Sequence, residues 1–185
     1  MVQQLFYTSD DLPLTLKCQI LSFMRVVWWE GFAGENQLRD WISHPSNHPA
    51  HIICVEQNIL IAHTEIVWKY LDHAGVTYKA YGLSGVFTYP AFRGQGYGRR
   101  IVDAGTAYIM ASDADIGIFH CDHHLENFYI GSGWAPMHGA TTYIGSDNDW
   151  TESEELMMMR FITEKGRRGR STFETEPIYF GASTW

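Results

Sequence analysis

Three glycines in five residues, Gly94, Gly96 and Gly98 of "YPAFRGQGYGRR", stand between a strand-like run, "GLSGVFT", and a segment with apolar residues at helical spacing, "IVDAGTAYIM". A glycine cluster joining strand to helix brings unhindered amides and a helix dipole to bear on an anion. Two familiar phosphate loops fail on spacing. A P-loop needs a lysine after its last glycine, and none follows here. A dinucleotide fingerprint needs G-x-G-x-x-G, but the third position falls on Arg99 counting from Gly94 and on Ile101 counting from Gly96. What remains is Arg93-x-x-Gly96-x-Gly98, with Arg93, Arg99 and Arg100 as charged donors.

The surrounding pattern places this loop in a mixed α/β sheet. "QLFYTS" reads as a short strand, and "LPLTLKCQILSFMRVVWWEGF" as an amphipathic helix broken at Gly31 and Gly34. "ENQLRDWIS" reads as a short second helix. "HIICVEQNILIAHTEIVW" reads as two strands joined through Gln57-Asn58, and "YKAYGLSGVFT" as a third. The glycine cluster opens a helix to about Ala111, after which "ADIGIFHCD" returns as a strand. A strand, helix, strand succession of this size is a right-handed crossover, so those two strands are parallel neighbours in an otherwise antiparallel sheet. "LENFYIGSGW" reads as a helix ending at glycine, "TTYIG" and "LMMMRFIT" as the last strands. The tail 166–185 is less regular, and its aromatics predict that it packs on the body.

The chain has 185 residues, 45% of them hydrophobic, which suits one domain over 1–185. No basic, apolar leader opens it, and no apolar run nears the roughly 18 residues that span a bilayer, so a cytoplasmic protein without membrane contact is expected. Cys18, Cys54 and Cys121 are too scattered for a disulfide framework or a zinc site and read as reduced, mostly core residues. A formal net charge of -8 disfavours nucleic acid, and an acidic surface either favours a cationic ligand or serves solubility alone. The histidines of "HCDHH" and "HPSNHPAH" lack metal-ligand spacing, and no metal is expected.

"VFTYPAFRGQGYGRRIV" resembles the coenzyme A-binding motif of the GCN5-related N-acetyltransferases (GNAT). "CDHHLENFYIGSGW" is similar to the next element of that family, with Tyr129 and Gly133-Trp134 in register. "GFAGENQLRDW", "ILIAH" and "GWAPMHGATT", with a closing tryptophan, resemble one branch, the aminoglycoside 2'-N-acetyltransferases. The resemblance implies a GNAT fold: a mixed, mostly antiparallel sheet, a central parallel pair splayed to admit acetyl-CoA, and flanking helices.

It also implies roles. Acetyl-CoA is the cosubstrate, its pyrophosphate held by Arg93, Gly94, Gln95, Gly96, Tyr97, Gly98 and Arg99. Its pantetheine pairs with Val86 and Thr88, and the Val86 N–H faces the thioester oxygen. Tyr129 is the general acid that returns a proton to the thiolate. Glu35, Asp40 and the Trp185 carboxylate match positions that bind a cationic aminosugar. Where the branch carries its basic glutamate, this chain has Ser84, whose hydroxyl accepts a proton poorly but can hold water or a sugar hydroxyl. His120, at a substrate contact of the branch, is the best replacement base, since an ordinary imidazole titrates near neutrality; Glu35, Asp40 or the terminal carboxylate acting through water are alternatives.

The expected activity is acetylation of an amino group, at the 2' position of an aminoglycoside-type antibiotic such as kasugamycin, as in resistance. Competing readings are a GNAT enzyme for a polyamine or peptide amine, and a non-catalytic acyl-CoA-binding module. A homodimer is compatible with all three.

Overall fold

Gln57 and Asn58 both adopt positive φ, at 52° and 63°, the geometry of a tight two-residue hairpin. They join β2 (Ala50–Glu56) to β3 (Ile59–His73), paired antiparallel from Ala50↔Ile66 to Glu56↔Ile59. A second two-residue turn, Ala74-Gly75, again with positive φ, joins β3 to β4 (Val76–Thr88). That hairpin corrects the expected end of a strand at Trp68: β3 runs on through Leu71 and His73, both buried.

The computed structural model describes residues 1–146 and 149–185. Asp147 and Asn148, part of the acidic run "SDNDWTESEE", lie outside the described residues. Contacts cluster the chain into two compact units, and β3, β4 and one helix run from the first into the second.

The first unit comprises Met1–Val67 and Ser84–Gly105. Here β1 (Gln3–Thr8) pairs antiparallel with β2 from Gln3↔Val55 to Thr8↔Ala50. α1 (Leu14–Val27) buries Leu16, Ile20, Leu21, Phe23 and Met24, one apolar stripe, in a core with Ile53, Val55, Leu60 and Phe87. Phe23 stacks on Phe87 at 4.2 Å between centroids. The helix stops at Val27, before the glycines expected to break it. Trp28 leaves helical geometry to set its ring edge-on against Phe23 and Phe87.

The expected helix over 35–43 is absent. A single 3-10 turn, Gly34–Asn36, is followed by irregular chain. Tertiary partners claim the groups a helix would use: the Arg39 carbonyl accepts from Arg25 at 2.9 Å and the Ser43 N–H donates to Glu65 at 3.2 Å. The Arg39 guanidinium meanwhile lies 4.0 Å over Phe32 and 4.4 Å over Trp41. These contacts outweigh a modest local helix preference.

The second unit comprises Trp68–Leu83 and Thr106–Trp185. α2 (Tyr97–Ala111) leads into it, followed by β5 (Ile116–Cys121). β5 pairs parallel with β4 at Ala80↔Ile116 and Tyr81↔Gly117, so the expected crossover is present. After those two pairs the ladder between them ends. α3 (Glu126–Ile130) and β6 (Ala135–Pro136) follow, then β7 (Thr142–Ser146), β8 (Asp149–Glu152) and β9 (Leu156–Phe161). β9 pairs antiparallel with both β5 and β6.

The tail is more regular than its sequence suggests. It forms α4 (Glu164–Arg168), α5 (Arg170–Thr175) and β10 (Ile178–Gly181), and β10 pairs parallel with β7 in a separate sheet that also holds β8. Phe173, Ile178 and Phe180 are buried with Leu71, Ile116, Met157 and Met159 in the core of this unit. The whole is a mixed α/β fold, mostly antiparallel, with the parallel pair β4–β5 and flanking helices.

Candidate active site

The glycine loop has the conformation an anion cradle needs. A 3-10 turn, Pro90–Phe92, leads from β4 to Arg93 in extended geometry, then Gly94 and Gly96 adopt φ of 75° and 83°. A Cβ at either would meet nothing within 4 Å, so glycine is required there by backbone conformation and not by crowding. α2 starts at Tyr97 with no acidic residue in its first turn, leaving its positive end uncompensated. Gly94, Gln95 and Gly96 are exposed, while Tyr97, Gly98 and Arg99 are half-buried. Arg93 donates to the Thr88 carbonyl at 3.1 Å, pinning the loop to the end of β4, and Arg100 donates to Gln4 on β1 at 3.0 Å. Val86 and Thr88 are both half-buried on β4.

Also in the first unit, Ser84 belongs to a network that the sequence did not reveal. Its Oγ lies 3.2 Å from Ser43 Oγ, and Ser43 Oγ donates to Glu65 Oε2 at 2.5 Å. Glu65, on β3, is fully buried. Burial pushes its carboxyl up to about 7, against the opposing pull of the two Ser43 hydrogen bonds and the Arg39 charge. Beside it run two buried imidazoles. The Gly85 carbonyl can only accept, so His63 donates to it from Nδ1 at 2.8 Å and receives His51 Nδ1–H on Nε2 at 3.2 Å. His51 Nε2 then faces Ser9 Oγ at 3.2 Å. Burial lowers His51 to about 4 and His63 to about 3, so both are neutral, and the 3.6 Å approach of His51 to Glu65 is not an ion pair at neutral pH. The signal was a lone carboxylate in "ILIAHTEIVW", an otherwise apolar strand, since an ionisable group buried on a strand is uncommon.

A cavity of about 510 Å³ opens against this network. Asp10, Lys17, Asp40, Trp41, Ser43, His51 and Glu65 are among its lining residues. Asp40 is exposed and paired to Lys17 at 3.3 Å. Glu35, the other acidic residue matched to substrate binding, is exposed on the turn Gly34–Asn36 and lies outside this lining.

In the second unit, Tyr129 sits on α3 with its ring edge-on to Phe119 at 4.6 Å. It is buried, which raises its phenol well above the usual value with help from Cys121 and Asp122, so it carries its proton throughout the physiological range. His120 is also buried. Its Nε2 lies 3.0 Å from Thr142 Oγ1, its Nδ1 has no hydrogen-bond partner among the described residues, and burial, helped by the Lys69 charge, lowers it to about 3. An imidazole that weakly basic is a poor proton acceptor at neutral pH, which opposes the role of base expected for it. The physical reason is the apolar packing around it: Phe180 stands edge-on at 4.9 Å.

Trp185 lies beside β5 where the ladder to β4 has ended. Its indole N–H donates to the Ile118 carbonyl at 2.7 Å, and an oxygen of the Trp185 carboxylate, also matched to substrate binding, accepts from the His120 backbone N–H at 3.0 Å. Among the described residues no group of three or more His, Cys, Asp or Glu side chains is placed to hold a metal, and no helix is long and apolar enough to cross a membrane.

Three solved structures illustrate what this fold is similar to. Escherichia coli ElaA is 17% identical with a TM-score of 0.60, over 86% of this chain and 99% of that one. An acyl-CoA N-acyltransferase from Pseudomonas aeruginosa is 16% identical with a TM-score of 0.57, over 86% and 99%. An aminoglycoside 6'-N-acetyltransferase complexed with coenzyme A is 15% identical with a TM-score of 0.60, over 86% and 97%. At these identities the likeness is one of fold. A search of curated proteins found no match. The model of the Acetyltransferase (GNAT) family matches residues 20–132. That span is more than half of the 185 residues and takes in the glycine loop, Glu65 and Tyr129. The chain therefore belongs to the acetyltransferase (GNAT) family.

Proposed function

We propose that this acetyltransferase moves the acetyl group of acetyl-CoA to a primary amine of a cationic aminosugar, at the 2'-amino group of an aminoglycoside-type antibiotic such as kasugamycin, and so confers resistance. The observation that carries the acetyl-CoA half is the loop Arg93–Arg99. Two left-handed glycines, exposed together with Gln95, directly precede the start of α2, an arrangement that suits a diphosphate. The cationic acceptor is favoured by the carboxyl groups in the cavity wall, Asp10 and Glu65, the third, Asp40, being offset there by Lys17.

The chemistry assigns each group a task. Amides of the glycine loop hold the coenzyme, and the Val86 N–H polarises the thioester carbonyl. The neutral amine attacks the carbonyl carbon, the C–N bond forms, the C–S bond breaks, Tyr129 gives its proton to the departing thiolate, and the surplus N–H proton leaves the nitrogen to restore the Tyr129 phenol.

Thiol release from acetyl-CoA tests the acceptor class. The panel is kasugamycin, a 2'-amino aminoglycoside, spermidine and a lysine-containing peptide. Release with the aminosugars is expected. Release with spermidine or peptide alone would replace the acceptor class, and no release with any amine would leave a non-catalytic acyl-CoA-binding module.

A further inference from the structure

Residue 84 cannot itself act as a base, yet it stands two hydrogen bonds from a group that can. Ser43 has one hydroxyl proton, and the 2.5 Å contact to Glu65 Oε2 uses it. With Glu65 ionised, the 3.2 Å contact between the two serines therefore runs from Ser84 as donor to Ser43 as acceptor. This fixes the direction of the chain and leaves the Ser84 oxygen lone pairs able to accept an N–H. Glu65 is held in this place by Ser43, which binds both its oxygens.

Resting on the acetyl-transfer reading, we propose that Glu65 is the terminal proton acceptor of this site, drawing a proton from the acceptor's primary ammonium through Ser84 and Ser43, with the adjoining cavity holding the rest of that molecule. In the step, an ammonium N–H proton passes to Ser84 Oγ, the Ser84 hydroxyl proton to Ser43 Oγ, and the Ser43 proton to Glu65 Oε2. The nitrogen keeps the electron pair of the broken N–H bond, and Glu65 leaves the step as a neutral acid. No co-reactant is needed.

The groups facing Glu65 suit the task. From β2, His51 is neutral; from its own strand, His63 is neutral; from the segment before β2, Arg39 supplies a positive charge and Ser43 the two hydrogen bonds. Lys17 and Asp40 stand at the cavity as a mutual pair. Burial brings the Glu65 carboxyl up to about 7, so near neutrality it is partly ionised and basic enough to hold the proton it receives.

The test uses Glu65→Gln, which keeps the shape of the protonated side chain, with kasugamycin and a 2'-amino aminoglycoside as acceptors. Wild-type kcat should rise with pH through a single ionisation near 7. Glu65→Gln should lose that ionisation and about 100-fold in kcat while binding coenzyme A as wild type does by calorimetry. Ser43→Ala and Ser84→Ala interrupt the chain with less disturbance and should each lower kcat about 10-fold or more, keeping the test open if the glutamine variant does not fold. Wild-type turnover and an unchanged pH profile in Glu65→Gln, or in both serine variants, would overturn the relay and leave the acetyltransferase reading standing. A wild-type protein that does not bind coenzyme A would instead remove the reading on which the relay rests.

Discussion

His51 Nδ1 and His63 Nε2 share a hydrogen bond of 3.2 Å between two buried rings. Burial holds both imidazoles, and that of His120, far below the usual 6.5, at about 4, 3 and 3. A depressed folded value means that the unfolded chain binds more protons as pH falls, so the stability these groups contribute is present above 6.5 and lost on acidification toward 3 to 4. Glu65 acts in the opposite sense, because its raised value favours the folded state as pH falls from 7 toward 4.5. Three groups outweigh one. Thermal unfolding followed from pH 7 to 4 should show a falling midpoint, each excess proton on the unfolded chain contributing about 1.4 kcal/mol per pH unit. Replacing His51 with Gln should flatten that decline; an unchanged slope would show that His51 is not held neutral.

Tyr129 offers a separation of binding from chemistry. Its ring packs on Phe119 and its phenol keeps its proton, so Tyr129→Phe leaves the packing intact and removes only the transferable proton. Turnover should fall by about 100-fold with coenzyme affinity nearly unchanged, as calorimetry and single-turnover kinetics would report. Equal turnover in the variant would take Tyr129 out of the mechanism.

Gly82 leaves room for Trp185. A Cβ there would stand 1.9 Å from the indole nitrogen and 2.4 Å from the Ile118 carbonyl. Gly82→Ala should therefore expel the indole, break its hydrogen bond to Ile118 and displace the Ile118 backbone, lowering the unfolding midpoint, and quenching of tryptophan fluorescence by iodide would detect one newly accessible ring. Trp185→Ala should destabilise the protein by less than the roughly 3–5 kcal/mol of a fully buried tryptophan, since the ring is only partly covered. An unaltered quenching profile in Gly82→Ala would show that the indole lies elsewhere in solution.

The strand-to-helix glycine loop, the Gln57-Asn58 hairpin and the parallel crossover were legible because each rests on local chemistry: positive φ, a turn dipeptide, and the handedness of the crossover. The segment 35–43 misled because Arg39 gains more from stacking on Phe32 and Trp41, and Ser43 more from Glu65, 22 positions away, than either gains from helical hydrogen bonds. The same remoteness hid the Ser84, Ser43 and Glu65 network, whose members are separated by 41 and 22 positions. His120 looked suited to accept a proton because its ordinary titration range is all a sequence conveys. The burial that moves it is a property of Phe180 and Thr142 packed around it.

Binding of coenzyme A to the loop Arg93–Arg99 is the claim on which the functional account depends, and titration calorimetry measures it directly. The wild-type protein should bind coenzyme A and acetyl-CoA saturably, one molecule per chain. Gly96→Ala, which forces a side chain into φ of 83° without any steric contact, should weaken binding by about tenfold or more, as a strain of about 1–2 kcal/mol and a displaced amide imply. Absence of saturable heat with the wild-type protein, or equal affinity in the glycine variant, would contradict the account.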